Sequence, residues 1–399
     1  MASTKELARY AKKMKDRRQE LMADEGAFSK LAGHLLEKGF KRVFLICGKQ
    51  TQKLKLFDSF VEELQSNGAR CFVWAHSGQM ATHAAIESCA YQCQQYNCEV
   101  IVSFGGGSVI DLGKMVAAWL KNTDRSLYQM RGIGRIKNPG LPHYAVSTTC
   151  SGAESSSCAF VLADHQIFMY FSEHLIPTAV VLDPNLVLRL PMENMASASV
   201  LALTHAIEAF INPVSGEFPS ERANLLIAMP IFFTYMEKSY KHGSGNDAYL
   251  QMMMAPYYSG VASRRLGYGM THSLAAYISH KYKVSTGRAC ANILPAVLEY
   301  EFSEVKADLA LLARAAHICS ARATEDEAAE ALINGFRSIC RRVEMPEDLA
   351  FLKSEDMNDI ARLALFDAET WDLPKRMNQK TVVSILKKVR YGDQNANGS

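Results

Sequence analysis

The sequence predicts an α/β domain built on a mostly parallel sheet, followed by an all-helical domain. The first half alternates short apolar, β-branched runs with amphipathic segments, which is the pattern of consecutive β–α–β units. After about residue 190 the strand signal disappears and helical periodicity continues to the end. A chain of 399 residues is also long for a single hydrophobic core. We therefore predict an α/β domain over 1–188 and a helical domain over 189–399.

Five apolar runs in the first half are predicted strands because they are β-rich and bounded by turn residues. They are KRVFLIC (41–47), ARCFVWA (69–75), CEVIVSF (98–104), HYAVST (143–148) and TAVVLD (178–183). The segment AFVLADHQIFMYF (159–171) predicts a hairpin. At the ends of the chain, the charged stretch 1–26 predicts a solvated amphipathic helix, and the polar stretch 392–399 predicts a frayed tail.

The composition is that of an ordinary globular enzyme. Hydrophobic residues make up 48% and charged residues 21%, with a net charge of +3. This balance favours neither a nucleic-acid partner nor a membrane surface, and no run reaches the ~18 uninterrupted apolar residues of a spanning helix. The ten cysteines form no CxxC pair, which predicts reduced thiols in a cytoplasmic protein. A zinc cluster at Cys89, Cys93 and Cys98 is the less favoured alternative.

A glycine run follows one of the predicted strands. CEVIVSF is followed by Gly105, Gly106, Gly107 and Ser108, and then a helical pattern begins. Glycines let the backbone approach a ligand closely, and the free N–H groups of a helix start favour phosphate. The stretch thus predicts a pyrophosphate-binding loop. The alternative is a plain strand-to-helix turn in which Ser108 caps the helix.

The same stretch, GGGSVIDLGKMVA, resembles the GGGSxxDxxK signature of the iron-containing (group III) alcohol dehydrogenase family, whose superfamily includes dehydroquinate synthases. Four further stretches resemble that family in order and at compatible spacing: STTCSGAES (147–155), VVLDPNLVLRLP (180–191), LTHAIEAF (203–210) and GYGMTHSLAAYISHKYKVSTGRACANILP (267–295). The resemblance spans essentially the whole chain. It implies a dehydroquinate synthase-like architecture, with a Rossmann-like parallel sheet before an all-α domain and a ligand cleft between them.

The resemblance also implies a nicotinamide dinucleotide as cofactor. By position, the residues at its phosphates and ribose are Gly105, Gly106, Gly107, Ser108, Asp111, Thr148 and Thr149, with Lys114 further along the same helix. NAD-preferring members often carry an acidic residue after the first strand, where this chain has Gly48 followed by Lys49. Nothing there repels a 2′-phosphate, and Lys49 or Lys53 is suited to pair with one. We expect NADP, with NAD as the alternative.

In that family an Asp and three His hold Fe²⁺ or Zn²⁺. Carried over by position, these ligands fall on Leu201, His205, His272 and Thr286. Leucine cannot coordinate a cation, and a threonine hydroxyl is a poor neutral ligand. We therefore expect an incomplete site of two histidines, His205 and His272, with metal absent or weakly held. A further family histidine one turn after His272 is replaced by Ala276.

The favoured function is an NAD(P)H-dependent alcohol dehydrogenase or carbonyl reductase acting on a small molecule without a tightly bound metal. In this hypothesis an imidazolium from His205 or His272 polarises the carbonyl, and Arg288 adds charge or binds a substrate carboxylate. Arg288 is equally well read as a surface arginine. A catalytically inactive nucleotide-binding partner protein is the main alternative, and a lyase or cyclase on the same scaffold ranks last. The resemblance allows a homodimer.

Overall fold

The described residues of the computed structural model, 5–15, 17–77, 80–189, 191–241, 245–368 and 371–391, group into two compact units. An α/β unit contains the described residues within 13–190 together with 245–260. A helical unit contains those within 1–12, 191–244 and 261–399. The expected fold class, a parallel-sheet domain followed by a helical domain, is confirmed.

The α/β unit is built on a six-stranded, all-parallel sheet in the order β1-β10-β7-β5-β2-β3. Its strands are β1 (Glu20–Ala23), β2 (Arg42–Gly48), β3 (Arg70–His76), β5 (Val100–Gly105), β7 (His143–Ser147) and β10 (Ala179–Leu182). The inner strands are almost wholly buried, as expected for a parallel sheet with both faces covered. All five strands predicted from apolar runs are present within two residues of their predicted bounds.

A second, smaller sheet in the same unit has the order β4-β8-β9-β6. Its strands are β4 (Ala81–Thr82), β6 (Gly132–Ile133), β8 (Cys158–Ala163) and β9 (Gln166–Phe171). The antiparallel pair β8–β9 is the predicted hairpin. Its two-residue turn, Asp164 and His165, has positive φ at both residues (50° and 60°), as tight hairpin turns that match the strand twist require.

Helices cover both faces of the main sheet and make up the helical unit. In the α/β unit they are α2 (Leu31–Glu37), α3 (Lys49–Lys53), α4 (Asp58–Ser66), α5 (His83–Gln95), α6 (Gly107–Trp119), α7 (Leu127–Met130), α8 (Pro184–Val187) and residues 245–260 of α11 (Gly245–Ala262). In the helical unit they are α1 (Lys5–Ala11), α9 (Met192–Ile211), α10 (Pro219–Tyr240), α12 (Met270–Tyr282), α13 (Thr286–Ala315), α14 (Glu325–Arg342), α15 (Met357–Ala368) and α16 (Gln379–Arg390).

The prediction of one helix over residues 1–26 is wrong. Within that stretch the structure describes the short helix α1 and the strand β1, which pairs in parallel with β10 at the edge of the main sheet. The strand has only four residues, and two of them are exposed. It therefore lacks the apolar run by which the other strands of the main sheet are predicted. The predicted tail at 392–399 lies outside the described residues.

The two units differ from the predicted boundaries in two segments, and close packing accounts for each. Residues 245–260 group with the α/β unit, where a Cβ on Gly260 would lie 2.2 Å from the carbonyl oxygen of Gly152. The described residues before 13 group with the helical unit. There the Leu7 side chain packs at Gly267, and Lys12 forms an ion pair with Glu217.

Helix α9 is apolar because it is a core helix of its unit. By length and composition it is the single candidate membrane span among the described residues, but 78% of its most apolar window is buried inside the structure. It packs against α10, α12 and α13. Burial by these helices accounts for its composition.

Candidate functional site

The α/β unit brings the predicted nucleotide-binding residues to one edge of the main sheet. Strands β7, β5 and β2 are neighbours, and Gly105 is paired in register with Ser147. Gly48 ends β2 beside β5, and the backbone N–H of Thr148 donates to the carbonyl of Gly105 at 3.0 Å. This is the carboxyl edge, where open parallel sheets bind their ligands.

The glycine loop, residues 105–108, leaves the start of α6 free to bind an anion. The residue that caps α6 is Gly106, with no side-chain hydrogen bond, so the alternative in which Ser108 caps the helix is wrong. The first N–H groups of a helix lack partners within it, and this helix supplies no side chain to satisfy them. The start of α6 thus presents donors and a positive dipole end to a phosphate.

Two hydroxyls beside this helix start are buried without a partner. Thr149 Oγ1 and Ser151 Oγ make no hydrogen bond to any described residue. A Cβ on Gly106 would lie 3.2 Å from Thr149 Oγ1, and one on Gly107 would lie 3.7 Å from Ser151 Oγ. Buried hydroxyls are normally paired, and phosphate oxygens would supply the missing partners. The residues at this edge fit a dinucleotide pyrophosphate.

Asp111 and Lys114, which were associated with the cofactor by resemblance, make structural contacts. Asp111 accepts a hydrogen bond from the backbone N–H of Phe160 at 3.1 Å, and burial raises the pKa of its carboxyl to about 6. The buried Lys114 ammonium donates to the Ser156 carbonyl, the Ser156 hydroxyl and the Cys158 carbonyl at 2.8–3.0 Å. Both side chains tie α6 to β8 and the segment before it.

The remaining cofactor residues lie at the same edge. Gly48 caps the short helix α3, and the side chains of Lys49 and Lys53 are exposed on it. Their exposure fits either a 2′-phosphate partner or a solvated surface.

All ten cysteines are free thiols, with Cys89 and Cys93 on α5 and Cys98 just before β5.

In the helical unit, α9 and α12 bring His205 and His272 into direct contact. His205 Nε2 and His272 Nδ1 lie 2.8 Å apart, which is a hydrogen bond. The Tyr268 ring stacks on both imidazoles, with centroids 4.2 Å from His205 and 4.7 Å from His272. Trp371 packs against the Tyr268 ring. Tyr268, backed by Trp371, is thus the aromatic lining of the histidine pair, His205 and His272.

Burial keeps the histidine pair neutral. Desolvation lowers the pKa of His205, with a further decrease from the neighbouring His272, and it lowers the pKa of His272 to about 4. The imidazolium expected from the sequence is therefore not the resting state near pH 7. A neutral pair joined by one hydrogen bond keeps a second N–H and a bare nitrogen on its outer positions.

Glu208, one turn after His205 on α9, holds the start of α12 in place. Its carboxylate accepts the backbone N–H groups of Thr271 at 2.7 Å and His272 at 3.2–3.3 Å. Helix α12 has no side-chain cap of its own, so Glu208 takes that role from another helix. Burial raises the pKa of Glu208 to about 7, although these hydrogen bonds oppose the shift.

The residues present do not fit a metal held by four side chains. Two imidazole nitrogens on one tetrahedral ion would lie about 3.3 Å apart, each about 2.0–2.1 Å from the metal, whereas here they bond to each other. Leu201 is apolar, and the Thr286 hydroxyl donates to Ser279 at 3.2 Å. In the described part of the chain, no group of three His, Cys, Asp or Glu side chains is arranged to hold a metal ion.

The third predicted catalytic residue, Arg288, lies in the first turn of α13 and contacts a different segment. Its guanidinium lies 3.9 Å from Asp348 and 5.0 Å from the centre of the Phe351 ring. The structure thus joins the two histidines and gives Arg288 contacts of its own.

Sequence reasoning missed three residues that shape the two sites. Ser151 lies inside the STTCSGAES loop that resembles the family, so its hydroxyl could have been proposed from the sequence. Glu208 was also visible, one turn after His205. Tyr268 carried no sequence signal, because an aromatic residue before a helix is usually core.

Comparison with known proteins agrees with this architecture. The profile described as iron-containing alcohol dehydrogenase matches residues 19–184, and that of the C-terminal region of the same family matches 195–390. This chain belongs to the iron-containing alcohol dehydrogenase family.

Individual relatives are distant but cover nearly the whole chain. Alcohol dehydrogenase 4 of Saccharomyces cerevisiae (strain YJM789) is 25% identical over 91% of this chain and 95% of its own. The NAD-dependent methanol dehydrogenase of Bacillus methanolicus is 24% identical over 91% and 96%. The solved alcohol dehydrogenase of Oenococcus oeni superposes with a TM-score of 0.85 at 23% identity, covering 93% of this chain and 98% of that one.

Proposed function

We propose that the protein is an NAD(P)-dependent oxidoreductase that interconverts a small alcohol and an aldehyde or ketone, without a tightly bound metal. The uncapped start of α6 beside the unpartnered hydroxyls of Thr149 and Ser151 carries this proposal. The names of the relatives, which are alcohol and methanol dehydrogenases, support the reaction type.

The nicotinamide supplies or accepts the hydride when the cofactor is bound. The chain has to polarise the substrate oxygen and move a proton. In one tautomer of the neutral histidine pair His205 Nε2 donates to His272 Nδ1, which leaves His272 Nε2–H as the outer donor and His205 Nδ1 as the outer acceptor. When His272 Nε2 gives up its proton, His272 Nδ1 takes the shared proton from His205 Nε2, and His205 Nδ1, the outer acceptor, takes up a replacement proton from solvent. The Tyr268 ring on both imidazoles holds their orientation.

NADP is the proposed cofactor, because the chain after β2 offers lysines and no carboxylate. Changing Lys49 to Glu is expected to weaken NADPH binding by roughly tenfold and to leave NADH binding within about twofold. Fluorescence titration with both nucleotides measures this difference. An equal loss for both would assign Lys49 to the shared pyrophosphate or to no nucleotide role.

An inactive nucleotide-binding relative is the second candidate, favoured by Leu201, Thr286 and Ala276 at positions where the family has metal ligands and a further histidine. NADPH oxidation is to be followed with aldehydes, ketones and keto acids, on protein purified without added metal and analysed for Fe and Zn. The proposal expects turnover that survives chelation and falls at least about a hundredfold in His272→Asn. Near-stoichiometric metal contradicts the metal-independent part. NADPH binding without turnover on every substrate supports the inactive relative.

A further inference from the structure

A second cavity in the α/β unit lies at the opposite edge of the main sheet. Its volume is about 130 Å³, and its polar lining is Arg17, Lys114, His143, His174 and Thr178. His143 is the first residue of β7 and Ser147 the last. At about 3.3 Å per residue these positions lie about 13 Å apart, so the cavity is separate from the glycine loop.

Two imidazole nitrogens at this cavity are buried without a partner. They are Nδ1 of His143 and Nδ1 of His174, and neither has a hydrogen bond to any described residue. The His143 ring is held by Ser103 Oγ, 2.9 Å from its Nε2, and the residue is only 4% exposed. The His174 ring hydrogen bonds to the backbone of Lys137. Unpaired buried polar atoms of this kind point to a ligand or ordered water.

The hydrogen bond of His174 decides what its free nitrogen offers, and for His143 the offer follows from the direction of its hydrogen bond with Ser103. A backbone carbonyl only accepts, so His174 places its proton on the nitrogen facing Lys137 and keeps a bare lone pair on Nδ1. When Ser103 donates its hydroxyl proton to His143 Nε2, the other nitrogen, Nδ1, carries the proton of that ring. The cavity then holds one donor and one acceptor from imidazoles.

Two cationic side chains, Arg17 and Lys114, line this cavity. Arg17 lies close enough to His174 to lower the pKa of that ring, and Lys114 contributes in the same way to the low pKa of His143. Glu173 opposes this effect at His174. Arg17 and Lys114 thus bring positive charge to the cavity, and the Glu173 carboxylate lies near His174.

We propose that this cavity binds a phosphate that keeps one proton, in the size range of inorganic phosphate. Arg17 supplies the positive charge, His143 Nδ1–H donates to a phosphate oxygen, and His174 Nδ1 accepts the phosphate O–H. A cavity of about 130 Å³ holds about four waters by their share of liquid volume, which is room for one such ion. Sulfate has the same shape but no O–H at neutral pH, so it lacks one of the three interactions.

The test is calorimetric titration of the full chain with inorganic phosphate, sulfate and methyl phosphate at about pH 6.5, where phosphates retain protons. The titrations are run with and without saturating NADPH, which occupies the glycine loop. One phosphate per chain is expected in both conditions, with sulfate at least about tenfold weaker. Methyl phosphate distinguishes the two sources: comparable binding indicates a small phosphate ester as ligand, and weaker binding indicates free phosphate.

Three variants locate the site. Arg17→Gln and His174→Leu are each expected to weaken phosphate at least about tenfold, and Arg17→Lys to recover part of the loss. The neighbouring exposed Arg18→Gln is the matched control and is expected to bind like the unaltered chain. Any of four results overturns the proposal: no phosphate binding, loss of binding with NADPH, equal binding of sulfate, or unchanged binding in both Arg17→Gln and His174→Leu. Circular dichroism checks that each variant is folded.

Discussion

At the scale of single residues, the two candidate sites use buried polar groups in opposite ways. At the glycine loop, Thr149 and Ser151 keep hydroxyls without partners. In the helical unit, the two imidazoles of the histidine pair share a hydrogen bond, and the Glu208 carboxylate accepts backbone N–H groups. Unpartnered hydroxyls suit a site whose polar groups are satisfied by a bound ligand. Hydrogen-bonded side chains suit a site that is already pre-organised without one.

Thr149→Val is therefore expected to weaken NADPH binding without lowering the stability of the nucleotide-free protein. In the free protein the hydroxyl has no hydrogen bond that the substitution could remove. In the complex a phosphate oxygen loses its donor, which costs about 1 kcal/mol of binding free energy, or roughly fivefold in affinity. Nucleotide titration and thermal unfolding measure the two effects. Thr204→Val removes a hydroxyl that donates to the Val200 carbonyl, so as control it should lower stability and leave NADPH affinity unchanged. A Thr149→Val protein with unaltered affinity would remove this hydroxyl from the nucleotide site.

Glu154 makes the stability of the α/β unit depend on pH. Its buried carboxyl accepts a hydrogen bond from Ser147, and burial raises its pKa to about 7. The folded state thus binds more protons than the unfolded state between the ordinary carboxyl pKa and about 7. Its contribution to stability is present at low pH and is lost as the pH rises through that window.

Between about pH 5 and about pH 8, the Glu154→Gln variant is expected to gain stability relative to the unaltered chain. The relative free energy of unfolding should shift by about 1–3 kcal/mol, because Gln cannot ionise. Urea unfolding at both pH values measures it. Glu62→Gln changes an exposed carboxylate on α4 and should show no such shift. A pH-independent difference for Glu154→Gln would mean that its carboxyl ionises as freely in the fold as in water.

At the scale of elements, the close approach of α13 to α9 fixes the place of Thr286. A Cβ on Gly287 would lie 2.0 Å from the Ser197 carbonyl oxygen, and the Gly287 N–H donates to Ser197 Oγ at 3.2 Å. The two helices therefore meet backbone to backbone at this point. Ser285 caps α13, and Thr286, its first residue, is turned to Ser279.

Gly287→Ala is expected to destabilise the protein by about 1–3 kcal/mol or more, since the helices must separate to admit the methyl group. Denaturant unfolding measures the loss. Gly216→Ala is the control, because an added Cβ there meets no atom within 4 Å and the glycine is exposed, so its effect should stay within about 0.5 kcal/mol. Equal stability of the two variants would show that α13 and α9 can move apart at little cost.

At the scale of the whole molecule, no metal ion is expected to contribute to folding. The two imidazoles are held to each other by a hydrogen bond, and Thr286 has a protein partner, so these side chains are positioned without an ion. Dialysis against a chelator should leave the unfolding temperature unchanged within error. A decrease of several degrees, restored by Fe²⁺ or Zn²⁺, would mean that a bound ion stabilises the native state.

The sequence by itself determined the order of the two domains, the five strands of the main sheet that have apolar runs, the hairpin, and the glycine loop before α6. Each depends on local periodicity or on residues a few positions apart, which sequence patterns record directly. It also singled out His205 and His272, which the structure brings into contact. It missed β1, which pairs with β10, because the residues of β1 do not form an apolar run.

Only the tertiary structure decided how these residues act. The hydrogen bond between His205 and His272 joins positions 67 residues apart, and the cap that Glu208 provides to α12 spans 63. The unpartnered hydroxyls and imidazole nitrogens are likewise defined by what surrounds them. Hydrogen bonding and desolvation depend on distances between segments that are remote in the chain. For that reason the protonation state of the histidine pair and the cavity at His143 had no signature in the sequence.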